Sequence, residues 1–266
     1  MKSKTISILG CGWLGLPLAE FLISKNFLVK GSTTTKSKLT ELKSKSIDPF
    51  LINLSDSKEI DKNFFDSEIL FINIPPGFRN PEKEISYNEK IEKLINQVCN
   101  SKIKKIIFIS TTSVYKDDPV TVTEEGPFSD SEKASELLKA EKIITENKKL
   151  NVTVLRLGGL YGYGRVPIRK NIQPISLNNS KKLNLIHRDY ACEIIFQIIK
   201  DELWNEVYNL VEDDHPTQLE FFHRSNLSSE IEEFEIDETL SSFKFVSNFK
   251  IRNELGINLP NKIQQS

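Results

Sequence analysis

The feature of this sequence that most constrains its fold is an alternation of short apolar runs with longer amphipathic segments, up to about residue 160. Short apolar runs bounded by polar residues are typical of buried strands, and the segments between them have helical periodicity. Strands that are separated by helices form parallel β-α-β units with right-handed crossovers. We therefore predict an α/β protein with a Rossmann-like doubly wound parallel sheet. The apolar runs read TISILG, FLVKGST, PFLINL, EILFINI, KKIIFIS and NVTVLRL.

A glycine-rich turn connects the first predicted strand to the first predicted helix, within SILGCGWLGLPLAEFL. Its G-x-G-x-x-G spacing allows a tight turn, a close approach of a pyrophosphate and close packing of the helix on the strand. The helix N-terminus also directs N–H groups and its positive dipole end at phosphates. We therefore predict a bound dinucleotide rather than a tight turn without a ligand. The predicted contacts are Gly10, Gly12, Trp13, Leu14 and Gly15.

The end of the second predicted strand indicates which dinucleotide is bound. NAD-binding sheets usually place Asp or Glu there, where it accepts a hydrogen bond from the ribose 2′-hydroxyl. Here KGSTTTKSK contains hydroxyls and lysines but no acid, and a 2′-phosphate is favoured by donors and positive charge. We therefore predict NADP(H) in preference to NAD(H); the alternative is a polar helix start with solvated lysines. The predicted contacts are Ser32, Thr33, Thr34 and Lys36.

The alternation ends after Gly159, which indicates a change of organisation. The glycine-rich loop YGYGRVP is followed by a predicted helix over residues 188–200, a strand in NEVYNLV and a final helix in NFKIRNELG with a glycine C-cap. We predict an NADP-binding Rossmann domain over residues 1–160 and a small C-terminal substrate lobe over residues 161–266. The lobe is expected to be interleaved with the sheet in a single compact unit.

The composition argues against several classes of partner. The chain has 36 basic and 37 acidic residues, so there is no basic field for nucleic acid or an anionic membrane. No apolar run approaches the roughly 20 residues of a membrane span. An odd number of widely spaced cysteines and the lack of a signal-like segment predict reduced thiols in a cytoplasmic protein. The three histidines lack the spacing of a zinc motif, so we predict no metal site.

Several segments, taken in order, resemble one family. They read LGCGWLG, ISTTSVY, LRLGGLYGYGR, LIHRDYA and VYNLV, and together they cover most of the chain. The chain resembles the extended short-chain dehydrogenase/reductase family, which includes nucleotide-sugar epimerases and dehydratases. It departs from the family's usual G-x-x-G-x-x-G because Leu9 stands at the first glycine. It is more closely similar to a small atypical subgroup that shares GCGWLG and IPP-type segments.

The resemblance implies site residues near the ends of the central strands. Thr111 matches the family's Ser or Thr that hydrogen-bonds a substrate oxygen. The segment NIPPG matches a loop on the adenosine side of the cofactor. The implied further cofactor contacts are Ile74, Pro75, Pro76 and Ser110, and the implied substrate-side residues are Thr112, Gly159, Tyr161 and Arg165.

Two further features of the sequence bear on the site, a basic stretch and one histidine motif. The basic stretch could contact an anionic substrate or the cofactor phosphates, or it could be a solvated lid. His187 and Asp189 match a helix-start motif of the family, and we interpret them as mainly structural. The basic residues are Arg165, Arg169, Lys170, Lys181 and Lys182.

The resemblance also implies a Tyr-x-x-x-Lys pair, in which the lysine lowers the Tyr pKa and holds the nicotinamide ribose. When Glu141 is matched to the end of the family's helix, Lys133 falls at the tyrosine position and Leu137 at the lysine position. No tyrosine occurs between Tyr115 and Tyr161. We therefore predict that the standard proton relay is absent.

Three explanations of this absence stay open. A different acid could act in the same cleft, the chain could be a non-catalytic NADP-binding sensor or partner-binding protein, or the register could be shifted by an unusual loop over residues 116–130. For the first explanation we predict Thr111, Lys133 and Tyr115 as catalytic residues, with Tyr161, Tyr163 and Glu125 as other candidates.

The function that the resemblance implies is therefore an NAD(P)-binding epimerase/dehydratase- or reductase-like protein of unknown substrate, with the sensor as the alternative. Family members often pair the helices that are predicted here over residues 83–99 and 131–147 across a dimer. A homodimer thus stays open beside the simpler interpretation that these helices only face the sheet.

Overall fold

The computed structural model describes residues 4–56, 59–77, 85–168, 175–229, 231, 233–240 and 243–265. Their contacts divide the chain into two compact units. The first unit comprises Met1–Ser110, Ser131–Leu155 and Ile195–Val207. The second unit comprises Thr111–Asp130, Arg156–Ile194 and Tyr208–Ser266.

This contact-based division differs from the predicted boundary at residue 160, and the domain assignment stays a prediction. The segment Thr111–Asp130 groups with later residues because it bonds to them: the Tyr115 hydroxyl contacts Asn209, and residues 121–122 pair with residues 245–246. Such long-range contacts leave no local pattern in the sequence.

The described strands include the seven that the sequence predicts, together with short strands that it does not predict. They are β1 Thr5–Leu9, β2 Leu28–Thr33, β3 Asp48–Leu51, β4 Ile69–Ile72, β5 Lys105–Thr111, β6 Thr121–Val122, β7 Asn151–Leu157, β8 Gly159–Tyr161, β9 Ser176–Asn178, β10 Leu185–His187, β11 Val207–Leu210, β12 Glu235–Asp237 and β13 Phe245–Val246. The helices are α1 Gly15–Ser24, α2 Lys38–Ser44, α3 Tyr87–Val98, α4 Glu132–Thr145, α5 Arg188–Lys200, α6 Gln218–Arg224 and α7 Phe249–Leu255.

Seven strands form one sheet in the order β11-β7-β5-β4-β1-β2-β3, and the ladders from β3 to β5 are all parallel. The chain first adds β2 and β3 on one side of β1 and then places β4, β5, β7 and β11 on the other. The predicted doubly wound sheet is therefore confirmed, with its topological switch between β1 and β4. Ligands of such sheets bind outside the carboxyl ends of the strands at this switch.

The helices of the first unit bury apolar stripes. Leu18, Ala19 and Leu22 of α1 are fully buried. Helix α3 begins at a capping box, in which Ser86 and Glu89 satisfy each other's backbone N–H groups. Helix α4 begins at Ser131, whose side chain accepts a hydrogen bond from the Ala134 N–H. The helices predicted over residues 83–99 and 131–147 are thus present but shorter; residues 83 and 84 lie outside the described part.

The second unit contains three short parallel ladders, β8 with β10, β9 with β12 and β6 with β13. Its apolar cluster includes Tyr161, Leu177, Leu185, Phe221 and Phe222. Helix α7 ends at Gly256 in the left-handed region, as the sequence predicts.

Three expected absences can be compared with the described residues. The three cysteines, all of which are described, form no disulfide. Among the described helices none is long and apolar enough to cross a membrane. The described residues also contain no group of three metal-ligating side chains.

Candidate cofactor site

The glycine turn between β1 and α1 is shaped by two close backbone contacts. A Cβ on Gly10, whose φ is +104°, would lie 2.4 Å from the Asn73 carbonyl oxygen. A Cβ on Gly15 would lie 2.1 Å from the Gly10 carbonyl oxygen. Gly12 is different, because it is exposed and a Cβ there would meet nothing within 4 Å. The protein itself therefore requires Gly10 and Gly15, whereas glycine at position 12 fits the close approach of a phosphate.

Hydrogen bonds from the neighbouring strands fix this turn. The Gly10 N–H donates to Ser32 Oγ at 3.0 Å, and the Cys11 N–H donates to the Ser32 carbonyl oxygen at 2.8 Å. The Asn73 side-chain amide donates to the Gly10 carbonyl oxygen at 3.3 Å. The first turn of α1 therefore begins from a fixed position, where its leading N–H groups have no intrahelical partner. This is the arrangement that binds a pyrophosphate.

At the end of β2, two of the predicted hydroxyls also accept hydrogen bonds from the protein's own backbone. Ser32 is buried and its Oγ holds the Gly10 N–H. Thr33 is also buried, and its Oγ1 accepts a hydrogen bond from the Thr35 N–H at 3.1 Å. Thr34 is exposed and lines a cleft, whereas the exposed Lys36 does not line it.

A cleft of about 160 Å³ opens beside the turn, within the first unit. Its walls come from the ends of β1, β2 and β4, from the loop after β3 and from the first turn of α3. Its described lining contains one lysine and no carboxylate. The lining residues are Leu9, Gly10, Ser32, Thr33, Thr34, Ile52, Asn53, Leu54, Ser55, Ile74, Pro75, Tyr87 and Lys90.

Several of these residues were missed by the sequence reasoning. Asn53, Leu54 and Ser55 follow β3, and Tyr87 and Lys90 open α3. The capping box Ser-Tyr-Asn-Glu could have located the start of α3, but its distance from the glycine turn is set by the fold. Burial, followed by the charge of Glu141, raises the pKa of Tyr87, whose hydroxyl lies 3.5 Å from the Ile74 carbonyl oxygen. The Tyr87 side chain is therefore uncharged where it lines the cleft.

The other predicted cofactor residues differ in whether they line the cleft and in how far they are buried. Ile74 and Pro75 line the cleft, whereas Pro76 is half-buried and does not line it. Trp13 is half-buried, and the Leu14 side chain is buried at 3% exposure, so Leu14 can contribute only its backbone to a ligand.

Ser110 is held by a buried hydrogen bond rather than directed at the cleft. Its Oγ donates to Glu141 Oε1 at 2.5 Å, and both residues are buried. This bond ties the end of β5 to α4. The Ser110 hydroxyl proton is therefore held within the protein, and the cofactor contact of Ser110 stays a prediction.

Comparisons with known proteins agree with this geometry. A family model described as NAD(P)H-binding matches residues 10–202, which is more than half of the chain. The chain belongs to the NAD(P)H-binding family. A relative of this family member, Protein YeeZ from Escherichia coli strain K12, is 29% identical over 261 residues, covering 95% of this chain and 94% of YeeZ.

Solved structures share the fold of this NAD(P)H-binding protein at low identity. UDP-glucuronic acid 4-epimerase from Bacillus cereus in complex with NAD has a TM-score of 0.79 and 15% identity, covering 98% of this chain and 95% of that chain. A short-chain dehydrogenase/reductase superfamily protein from Agrobacterium tumefaciens with bound NAD has a TM-score of 0.75 and 12% identity, covering 97% of this chain and 93% of that chain. The predicted short-chain dehydrogenase/reductase fold is therefore confirmed.

In this NAD(P)H-binding protein, Tyr115 is poorly suited to move a proton. Its side chain is buried at 1% exposure, and its hydroxyl donates to Asn209 Oδ1 at 2.6 Å. Arg156 donates to the same hydroxyl at 2.8 Å. Burial raises the pKa of Tyr115 despite the opposing charge of Arg156. The Tyr115 hydroxyl is therefore enclosed by its partners, which disfavours the predicted catalytic role.

Tyr161 is enclosed in the same way within the second unit. Its hydroxyl donates to the Glu212 carboxylate at 2.9 Å and accepts a hydrogen bond from the Lys262 N–H at 2.8 Å. Glu212 also accepts a hydrogen bond from the His187 N–H at 3.0 Å. Burial raises the pKa of Glu212 to about 8 and also raises the pKa of Tyr161. The Tyr161 hydroxyl is therefore held by structural hydrogen bonds, and its substrate-side role stays a prediction.

His187 and Asp189 are placed as a structural pair, as the sequence suggests. The Asp189 N–H donates to His187 Nδ1 at 3.3 Å, at the start of α5. A Cβ on Gly162, whose φ is +110°, would lie 2.3 Å from His187 Nε2. The buried ring therefore fills the space that the missing side chain leaves, and burial lowers the pKa of His187. Tyr163 is exposed and its hydroxyl donates to Asp189 at 2.8 Å.

The remaining predicted catalytic residues differ in exposure. Thr111 is half-buried at the end of β5, and its Oγ1 accepts a hydrogen bond from the Ser113 N–H at 3.2 Å, while Thr112 is buried. In the first unit, Lys133 is exposed in the first turn of α4 and Leu137 is buried at 4% exposure. Helix α4 is thus present where the sequence predicts it, and the absence of the Tyr–Lys pair stays a prediction.

The predicted basic stretch is partly neutralised by acids of the second unit. Lys181 lies 3.5 Å from Asp117, and Lys182 lies 3.1 Å from Glu220. Arg165 and Gly159 are exposed, as is Glu125. Arg169 and Lys170 lie outside the described residues. The described lysines are therefore explained by their ion pairs without an anionic substrate.

Proposed function

We propose that this protein binds NADP(H) in preference to NAD(H) and is an epimerase/dehydratase- or reductase-like enzyme that works without the Tyr–Lys relay. The observation that carries the proposal is the cleft beside the glycine turn, whose described lining offers Thr34 and Lys90 but no carboxylate. The NAD held by two structures of the same fold supports a nicotinamide dinucleotide at this turn.

The electrostatics of the cleft favour the phosphorylated cofactor. A ribose 2′-phosphate carries close to two negative charges, so it is repelled by the acid that NAD-binding sheets usually place after the second strand. Thr34 stands exposed at this place and can donate a hydrogen bond to a phosphate oxygen. Ser32 and Thr33 support the site indirectly, because their hydroxyls fix the turn and the backbone that carries Thr34.

The residues of the chain divide the work between binding and chemistry. The turn from Gly10 to Gly15 would hold the pyrophosphate, and the cleft would hold the adenosine. When bound, the nicotinamide supplies hydride transfer. Thr111 can donate its hydroxyl proton to a substrate oxygen, since in its hydrogen bond with the Ser113 N–H the Thr111 oxygen is the acceptor. Lys133, which is exposed on α4, stays the candidate proton donor.

A charge introduced at Thr34 tests the cofactor preference. We expect Thr34→Asp to weaken NADPH binding by about tenfold or more and to leave NADH binding unchanged or improved, because the carboxylate repels the 2′-phosphate and accepts from the 2′-hydroxyl. Thr35→Asp is the matched control, since Thr35 is equally exposed but does not line the cleft. Fluorescence titrations with NADPH and NADH give the ratio of the two affinities for each variant. A ratio that Thr34→Asp leaves unaltered would contradict the proposal.

A non-catalytic NADP-binding sensor is the second candidate. It is favoured by the enclosed hydroxyls of Tyr115 and Tyr161, which remove two of the candidate acids. A scan of carbonyl compounds and nucleotide sugars with NADPH separates the two functions. Turnover that is lost in Thr111→Ala supports the enzyme, whereas tight NADPH binding without turnover of any compound supports the sensor.

A further inference from the structure

The wall of the cleft beside the glycine turn holds a hydrogen-bond donor and an acceptor side by side. The Tyr87 hydroxyl donates to the Ile74 carbonyl oxygen at 3.5 Å, and both residues line the cleft. An O–H···O hydrogen bond normally spans about 2.5–3.0 Å, so this bond is a weak one. The two groups can therefore turn to a ligand with little loss of their own interaction.

Both groups are held in place by the chain around them. The Asn73 side-chain amide, directly before Ile74, donates to the Gly10 carbonyl oxygen at 3.3 Å. Tyr87 is the first residue of α3, next to the capping residue Ser86, and it is buried at 5% exposure. The acceptor is thus fixed from the glycine turn and the donor from the start of a helix.

The Tyr87 hydroxyl stays a donor over the physiological pH range. Burial, followed by the negative charge of Glu141, raises the pKa of Tyr87. The phenol therefore keeps its proton, whereas a backbone carbonyl such as that of Ile74 can only accept. The wall of the cleft thus offers one fixed donor and one fixed acceptor, 3.5 Å apart.

Another polar group of the lining, the Asn53 amide, is used within its own loop. Its Oδ1 accepts a hydrogen bond from the Ser55 N–H at 3.1 Å, and its Nδ2 donates to Asp56 Oδ1 at 2.8 Å. The Asn53 amide is therefore less suited to bind a ligand than the weakly bonded pair. Apolar side chains complete the lining and give a flat ring a surface to pack on. They belong to Leu9, Ile52, Leu54 and Pro75.

We infer that the Tyr87 hydroxyl and the Ile74 carbonyl recognise the adenine ring of the bound dinucleotide. The 6-amino group of adenine is a donor and N7 beside it is an acceptor, so this edge of the base is complementary to the pair. On binding, the Tyr87 hydroxyl donates to N7 and the Ile74 carbonyl accepts from the 6-amino group. The inference rests on the proposed function, in which the cleft holds the adenosine, and adds a base specificity to it.

A change of the base tests the role of the carbonyl. In the deaminated analogue of NADPH, hypoxanthine replaces adenine, so a 6-oxo acceptor would face the Ile74 carbonyl oxygen. We expect this analogue to bind about tenfold or more weakly than NADPH, because two acceptors then meet without a donor. Isothermal titration of the wild-type protein with both nucleotides measures the ratio. Equal affinities would overturn the inference.

Removal of one hydroxyl tests the role of the donor. We expect Tyr87→Phe to weaken binding of NADPH, NADH and AMP by about fivefold each, with the ratio of NADPH to NADH affinity unchanged, because one hydrogen bond to the shared adenine is lost. 7-Deaza-AMP lacks the N7 acceptor. It should bind wild type about fivefold more weakly than AMP does but bind Tyr87→Phe as tightly as AMP does. Tyr190→Phe is the matched control, since Tyr190 lies on α5 and outside the cleft. Thermal unfolding of each variant without ligand checks the fold.

The outcomes separate this inference from the function on which it rests. If wild-type protein prefers NADPH to NADH and Tyr87→Phe binds both as tightly as wild type does, only the adenine recognition is overturned. Equal binding of AMP and 7-deaza-AMP to wild type would overturn it as well, and this comparison needs no variant. If NADPH and NADH bind equally while the deaminated analogue binds weakly, the cofactor preference fails and the adenine recognition stands. If neither nucleotide binds, both fail together.

Discussion

Gly12 is the residue of the glycine turn that the protein's own packing does not require. A side chain at Gly10 or Gly15 would collide with backbone oxygens at 2.4 and 2.1 Å, so these two glycines are demanded by the fold. A Cβ at Gly12 meets nothing within 4 Å, and Gly12 is not among the residues with positive φ. The cost of a side chain at position 12 would therefore arise only when a ligand approaches.

This difference predicts opposite effects of two alanine substitutions. Gly12→Ala should leave the free energy of unfolding within about 0.5 kcal/mol of wild type but weaken NADPH binding by about tenfold or more. Gly15→Ala should lower the free energy of unfolding by about 2 kcal/mol or more, because its Cβ must displace backbone. Urea unfolding and nucleotide titration of each variant measure both quantities. A Gly12→Ala protein with normal NADPH affinity would show that no phosphate approaches this turn.

Single residues were predicted from the sequence only where a local motif fixes their place. The glycines could be assigned because their spacing and the flanking strand and helix define one turn. Lys90 and Ser55 could not, since nothing in the local pattern brings the start of α3 beside the loop after β3. Ser32 and Ser110 were correctly placed at strand ends, yet their hydroxyls are used by Gly10 and Glu141, which only the tertiary structure reveals.

At the scale of elements, one buried carboxyl group links several segments of the second unit. Glu212, two residues after the end of β11, accepts hydrogen bonds from Tyr161 of β8 and from His187 of β10. Tyr161 in turn accepts from the Lys262 N–H near the C-terminus. The ends of two paired strands and a distant segment thus meet at one acid with 1% exposure.

The raised pKa of Glu212 predicts how stability depends on pH. Its pKa is about 8 in the folded protein and near 4.3 in an unfolded chain. Between these values the folded state holds the proton more tightly, so ionisation lowers the free energy of unfolding as the pH rises from about 4.3 to 8. Glu212→Gln keeps the acceptor oxygen but cannot ionise. Over this pH window its free energy of unfolding should therefore fall less than that of wild type, by on the order of a few kcal/mol.

Urea unfolding of both proteins from pH 5 to 9, followed by circular dichroism, measures this difference. The lowered pKa values of His187 and His215 act in the opposite direction, but they do so in both proteins. The difference between the two curves therefore isolates Glu212. Parallel curves would mean that this carboxyl titrates normally.

The strands and helices of the sheet were predictable because their apolar periodicity is local. Strand β4 is buried along its whole length and α5 buries Ile194, Ile195, Ile198 and Ile199, as the pattern indicates. The segment Thr111–Asp130 was not predictable in the same way. It is held by Arg156, Asn209 and the β6–β13 ladder, contacts that depend on residues far along the chain.

At the scale of the whole molecule, the chain combines an NAD(P)H-binding sheet with a helix α4 on which we predict that the family's Tyr–Lys pair is absent. Leu137, which we predict to stand at the position of the lysine, is buried. The glycine turn and the cleft are complete within the first unit. Binding of the cofactor is therefore expected to survive whether or not the protein turns over a substrate.

The central claim is that the cleft beside the glycine turn selects the 2′-phosphate of NADP(H). Isothermal titration of the purified wild-type protein with NADPH and with NADH, in one buffer at two salt concentrations, tests it most directly. We predict that NADPH binds at least about tenfold more tightly and that its advantage shrinks at the higher salt, because the added phosphate is recognised by charge. Equal affinities, or NADH bound more tightly than NADPH, would contradict it.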